Sequence, residues 1–389
     1  STYVLVLVPG GQMLEQDEYA KPESQRLRET YRQYIAALLA AAGDAPELAA
    51  NRAARILALE ARSAAAMMSP LQMREPANTY NIMTLAQAQA LVPALDLRAF
   101  LKAQGIAAPA RVQVLDINAM KALQRLLTDQ PVEDVRLLLR WYALASRASE
   151  LGRPYRTLEA EFTRARRGLK AEPEPERVVT QQIGAQLYHP LSQLYVQANF
   201  PASTRREITE MVGHIKDEFA TRLRSNAWLD DATRGAALEK LGKIDIQVGY
   251  PDQWVDFSGL DIRPDDHFGN VQRAARFAFQ REARRIGKPV LGNRFAVATK
   301  TTPISVNSAY NFTTNTIDIT AAILQPPFYK AGADPAVNYC AIGAVIGHEI
   351  THGFDSLGRQ FDPQGNLRNW WSPEADRRFQ QRTGVLIDQ

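Results

Sequence analysis

One cysteine is found in 389 residues. A lone thiol excludes any internal disulfide, so the fold must rest on a hydrophobic core and not on covalent staples. Cys340 lies in an apolar run and reads as a small core residue. Long hydrophobic runs are missing as well. No stretch approaches the roughly 20 apolar residues of a spanning helix, so this segment is expected to hold no membrane span. The opening Tyr3-Val4-Leu5-Val6-Leu7-Val8 is apolar but stops at Pro9-Gly10-Gly11, without a basic leader or a small-residue cleavage site. It reads as a strand. Charge of one sign is not in excess: 46 basic residues face 42 acidic ones, for a net charge of +4. The densest basic stretch, Arg153 to Lys170, is broken by Glu159 and Glu161. That pattern fits a solvated helix face and argues against nucleic acid as a partner. Histidine is scarce too, with five in the chain.

What is present is an ordinary globular mixture, 46% hydrophobic and 23% charged, at a length that suits two or three domains. The first two thirds read as helical. Leu27, Tyr31, Tyr34, Ile35 and Leu38 fall on one stripe, and Val135, Leu138, Leu139 and Tyr142 on another. Thr204 with Glu207 forms a capping-box pattern that predicts a helix start, followed by Ile208, Met211, Val212, Ile215 and Phe219. Glu172-Pro173-Glu174-Pro175-Glu176 reads as a linker. Near Val248-Gly249-Tyr250-Pro251-Asp252 the texture changes to turns and strand-like alternation. Ile304, Val306, Ile317 and Ile319 alternate with polar neighbours around Thr313-Thr314-Asn315, which predicts a hairpin over 304–320. An apolar helix is predicted over 337–353, and a helix with almost no polar face is buried. The fold class is therefore mainly α with a smaller α+β part.

That helix nevertheless carries His348-Glu349-Ile350-Thr351-His352. Histidines at i and i+4 lie one above the other on a helix, so both imidazoles can face one ion. Zinc suits two imidazoles and a carboxylate with a fourth position left for water. Glu349 points away from the pair yet stands close enough to take a proton from that water as it attacks a carbonyl. Two histidines and a carboxylate would be costly to bury without such a partner. His214, with Glu210 and Glu218 at helical spacing, reads as a surface histidine beside carboxylates in preference to a second metal site. His189 and His267 carry no assigned role.

The string Val345-Ile346-Gly347-His348-Glu349-Ile350-Thr351-His352-Gly353-Phe354-Asp355 closely resembles the zinc helix of the neprilysin family of metallopeptidases. The likeness extends through Val306-Asn307-Ser308-Ala309-Tyr310, Ala322 to Phe328, and Leu367 to Pro373, and more weakly through Trp228 to Asp252 and the N-terminal Gly10-Gly11. The resemblance implies a helical domain, residues 1–245, facing the first part of a thermolysin-like catalytic domain, residues 246–389. It implies one zinc per chain held by His348 and His352, with Glu349 as catalytic base and Asp355 as the carboxylate that orients a ligand histidine. Asn307 and Ser308 match the edge-strand pair that grips the substrate backbone, the family having alanine at the second position. Oligopeptides are the implied substrates of a zinc endopeptidase, and bacterial relatives suggest an extracytoplasmic setting (periplasm or cell surface), with the cytoplasm as the alternative. The family's third zinc ligand is a glutamate in a later Glu-x-x-x-Asp motif. Only 37 residues follow His352, and none fits. Glu374 is followed four residues on by Arg378, not Asp. The chain is thus expected to be the middle of a longer polypeptide, inactive by itself and completed beyond Gln389. A non-catalytic binding protein on the same fold is the alternative.

Overall fold

In the computed structural model the chain is described over residues 2–8, 10–171, 174–290, 295 and 301–389. Glu172 and Pro173 of the expected linker lie outside these residues; a helix, Pro175–Gln186, begins within its last residues. The fold is mainly helical with two small sheets, and contacts divide it into two compact units. One comprises Thr2–Thr180 and Leu260–Lys288, the other Gln181–Gly259 and Pro289–Gln389. The expected boundary at 245/246 does not coincide with this division. Helices from 181 onward share a core with the strands that follow them, so compactness cuts the chain earlier.

In the first unit, β1 (Leu5–Leu7), β2 (Ile82–Thr84) and β3 (Arg111–Val114) form a sheet in the order β1-β3-β2, with β1 parallel and β2 antiparallel to β3. The helix Gln25–Ala41 buries Tyr31, Tyr34, Ile35 and Leu38 as its stripe predicts. The helix Val132–Ala145 is rotated from the expected stripe. It buries Leu138, Trp141 and Ala145, and Leu139 is exposed. Trp141 decides this: its indole is the largest side chain on the helix, and it packs between Tyr31 and Tyr34.

In the second unit, β4 (Asp245–Gly249), β5 (Ser308–Asn311) and β6 (Thr316–Thr320) form a sheet in the order β4-β6-β5. β4 runs parallel to β6 and β5 antiparallel to it. β6 is buried on both faces. Ile317 and Ile319 enter the core, and on the other face the Asp318 carboxylate accepts from the Phe295 N–H at 2.8 Å. The predicted hairpin is present but its first strand starts later. Residues 304–307 form a turn, with Asn307 N–H donating to the Ser305 carbonyl at 3.0 Å. The Thr320 hydroxyl, 2.5 and 2.8 Å from the Ser305 and Asn307 carbonyls, draws that turn onto β6 and prevents ladder pairing there.

The helix Ala202–Arg224 buries Ile208, Met211 and Val212 on the predicted face but starts ahead of the predicted cap. Pro201 takes the cap position, Thr204 is buried in the first turn, and the Glu207 carboxylate accepts from the Tyr329 hydroxyl. The helix predicted over 337–353 is two, Pro335–Cys340 and Ile342–Thr351. Ile342 N–H donates to the Phe328 carbonyl at 3.0 Å, and Ala341 adopts a non-helical conformation (φ −97, ψ −90). Nor is this segment buried all round. Ile342, Ile346, Glu349 and Ile350 face inward, whereas Ala344, His348 and Thr351 are exposed. Cys340 is exposed as well, because the short first helix turns Asn338, and not Cys340, toward the core.

Candidate metal centre

The helix Ile342–Thr351 lies against β5, β6 and the helix Ala202–Arg224 through Ile342, Ile346 and Ile350. That apolar stripe sets the rotation of the helix, and the rotation places His348 and His352 together on the open side. Their ring centroids are 4.6 Å apart at an interplanar angle of 80°. His352 is the C-cap residue, so its side chain leaves the helix where the chain turns away.

Asp355 fixes that imidazole. Its Oδ2 lies 2.7 Å from His352 Nδ1, and its Oδ1 accepts from the N–H groups of Leu357 at 2.9 Å and Gly358 at 2.7 Å. A carboxylate only accepts, so Nδ1 carries the proton and neutral His352 keeps its lone pair on Nε2. This is the arrangement that a metal-ligating histidine uses. Two imidazoles at this spacing, one oriented by a carboxylate, fit the donor chemistry of zinc. Among the described residues no set of three His, Cys, Asp or Glu side chains gathers as a metal site. Glu374 forms ion pairs with Arg377 and Arg378 in the first turn of the helix Pro373–Ile387. His214 Nδ1 is paired with the Tyr339 hydroxyl at 2.7 Å.

Glu349 is buried behind the histidines. Desolvation pushes its carboxyl up from the ordinary value, and His352, His348 and the backbone N–H of Tyr310 pull it back in part. Asn307 is half-buried in the turn just before β5, which is an edge strand. Ser308, the first residue of β5, is buried and its hydroxyl donates to the Asp318 carbonyl at 3.0 Å. Two further residues beside the site are given no role by the sequence reading. Tyr310 donates its hydroxyl to Asn315 Oδ1 at 2.6 Å, and Lys240 reaches the loop after His352. A signal for Lys240 does exist: Thr233, Ala237, Lys240 and Leu241 make a helical stripe that is buried throughout.

Models of peptidase family M13 match residues 1–251 and 307–389. Neprilysin-1 of Caenorhabditis elegans is 34% identical over 288 residues, covering 71% of this chain and 37% of that protein. Human neprilysin is 27% identical over 362 residues, covering 86% and 47%. The chain thus spans less than half the length of these two relatives. Among solved structures, the zinc metalloprotease Zmp1 of Mycobacterium tuberculosis in complex with an inhibitor aligns with a TM-score of 0.94 at 32% identity. It covers all of this chain and 59% of its own. PepO from Lactobacillus rhamnosis has the same fold, with a TM-score of 0.87 at 24% identity over 97% of this chain and 60% of its own. The chain belongs to peptidase family M13, the neprilysin-like metallopeptidases.

Proposed function

We propose that this chain is part of a zinc-dependent endopeptidase acting on oligopeptides, with residues 246–389 as the first part of its catalytic domain. The observation that carries this reading is the Asp355–His352 bond, which presents a lone-pair nitrogen beside His348. His348 and His352 would hold one zinc. When bound, the ion polarises a peptide carbonyl and makes a water easier to deprotonate. Glu349 takes that water's proton on its carboxylate as the C–O bond forms. It returns the proton to the leaving amine as the C–N bond breaks. Asn307 offers an amide donor and acceptor to an extended peptide lying along β5. Ser308 contributes through its main chain, its hydroxyl being bonded to Asp318. The third metal ligand and the groups that stabilise the oxyanion would come from the part of the family's length that this chain does not span, and an extracytoplasmic setting completes the reading.

The test uses the full-length protein. Zinc analysis after dialysis should find about one ion per chain, and His352→Ala should lose it. Glu349→Gln should keep the zinc and lose about two to four orders of magnitude in turnover of a fluorogenic peptide. Residues 1–389 alone, with zinc added, should turn over far more slowly than the full chain. Full zinc content and full turnover in His352→Ala would remove the assignment. Zinc and peptide binding by the full chain with no cleavage would favour the binding-protein alternative.

A further inference from the structure

Lys240 is fully buried on the helix Asp231–Lys243. A lysine in a core is unusual, because its ammonium gives up hydration that an apolar side chain of similar size would not need. Here desolvation lowers its pKa to about 8. Among the described residues it has no ion-pair partner; Asp362 and Asp355 act on it at longer range. Its hydrogen bonds go instead to two carbonyls of one loop, Gly358 and Phe361, both at 2.6 Å. The rings of Tyr310, Phe354 and Trp370 surround it at 6.0, 6.0 and 5.5 Å.

The loop it holds is the one that carries Asp355. Gly358 accepts from Lys240 at its carbonyl and donates from its own N–H to Asp355 Oδ1 at 2.7 Å. Asp355 in turn holds His352 Nδ1 through Oδ2. A continuous line of hydrogen bonds therefore runs from Lys240, 118 residues from Gly358 in sequence, to one imidazole. On the far side, Asn315 Nδ2 lies 3.2 Å from the carbonyl of Lys240 itself and 3.2 Å from that of Pro363, which ties the same helix to the end of the loop.

We propose that Lys240 is a positioning residue of the metal centre, its buried ammonium clamping the 355–361 loop so that Asp355 keeps His352 in its metal-binding orientation; this rests on the metal-centre reading above. An apolar side chain would fill the same space and take one donor from each carbonyl, leaving Gly358 the Phe361 N–H at 3.1 Å and Phe361 the Trp370 Nε1–H at 2.9 Å. Lys240 acts through Asp355, so the two should not contribute independently to zinc affinity.

The experiment measures zinc affinity by chelator competition in the full-length protein, beside thermal melting. Lys240→Met should weaken zinc about tenfold, the lower end of what loss of a group behind a ligand brings. Asp355→Ala should weaken it at least as much. The double variant should match Asp355→Ala alone, since a clamp adds nothing once the clamped group is gone. Leu241→Ala, a core truncation one residue along, serves as the stability control and should lower the melting temperature without changing zinc affinity. Wild-type affinity in Lys240→Met, additive losses in the double variant, or an equal loss in Leu241→Ala would each overturn the proposal. Should Lys240→Met not fold, Lys240→Gln keeps a shorter, uncharged donor group; an affinity between wild type and Asp355→Ala supports the clamp, and wild-type affinity refutes it. His352→Ala separates the two readings. If it loses zinc while Lys240→Met does not, only the clamp fails; if it keeps zinc, the metal centre fails and the clamp with it.

Discussion

Gly358 is the point where the loop after the helix Ile342–Thr351 lies directly on that helix's end, and it has no room for a methyl group. An added Cβ would stand 1.7 Å from the His352 carbonyl oxygen and 2.7 and 2.8 Å from the Gly353 and His352 carbonyl carbons. All three are backbone atoms, so no side chain can swing aside. Real Cβ atoms keep at least about 3.0 Å from such neighbours, so in Gly358→Ala the loop and the helix end must part by about 1.3 Å. A retreat of that size takes the Gly358 N–H bond to Asp355 (2.7 Å) and the Lys240 bond to the Gly358 carbonyl (2.6 Å) out to about 4 Å, beyond hydrogen-bond reach. Each has a charged partner, and such bonds contribute about 1.5–3 kcal/mol. With partial relaxation the expected loss is about 3 kcal/mol, and a unit of this size responds by about 2–4 °C per kcal/mol, so melting should fall by about 6–12 °C. Zinc affinity should fall with it by about tenfold, because Asp355 loses one of the two backbone donors that hold its Oδ1. Calorimetry and chelator competition on the full-length protein read both. Gly384→Ala, in the helix Pro373–Ile387 with open space around its Cβ position, should melt at the wild-type temperature or slightly above. A Gly358→Ala protein with unchanged melting and unchanged zinc affinity would refute the packing argument.

Glu60 is fully buried in the first unit, where its carboxyl accepts from Tyr19, Tyr31 and Trp141, and desolvation pushes it up to about 7. Between about pH 4.5 and 7 the folded chain then holds a proton that the unfolded chain has released, so this group's contribution to stability falls as pH rises, by about 3 kcal/mol across the window, and levels off above it. Glu60→Gln should flatten that slope in a series of melts, and an unchanged slope would rule Glu60 out as its source. If the proposed contact of the Asn307 amide with the peptide backbone holds, Asn307→Ala should weaken cleavage of many peptides by a similar factor. A changed side-chain preference at undiminished efficiency would contradict it.

Features that depend on near neighbours are legible in the amino-acid sequence itself. The i, i+4 spacing of His348 and His352 needs only a helix to bring the imidazoles together, and Asp355 follows His352 by three residues, within reach of its Nδ1. The turn at Thr313-Thr314-Asn315 declares itself by residue type, and Asn315 does take φ 54 there. The stripes of Gln25–Ala41 and Ala202–Arg224 likewise set their own buried faces. Other features are decided by partners distant in the chain. The break at Ala341 follows from a carbonyl at Phe328, and the late start of β5 from the Thr320 hydroxyl. Pro201 takes the cap that Thr204 and Glu207 promise, and Glu207 goes to Tyr329 instead. Above all, Lys240 and Glu60, which the sequence analysis does not single out, become buried groups with fixed partners. Short-range geometry is written in spacing, because each helical or turn bond joins residues a few positions apart. Burial of a polar group is settled only when remote segments close over it, and the donors or acceptors that make it tolerable arrive with those segments.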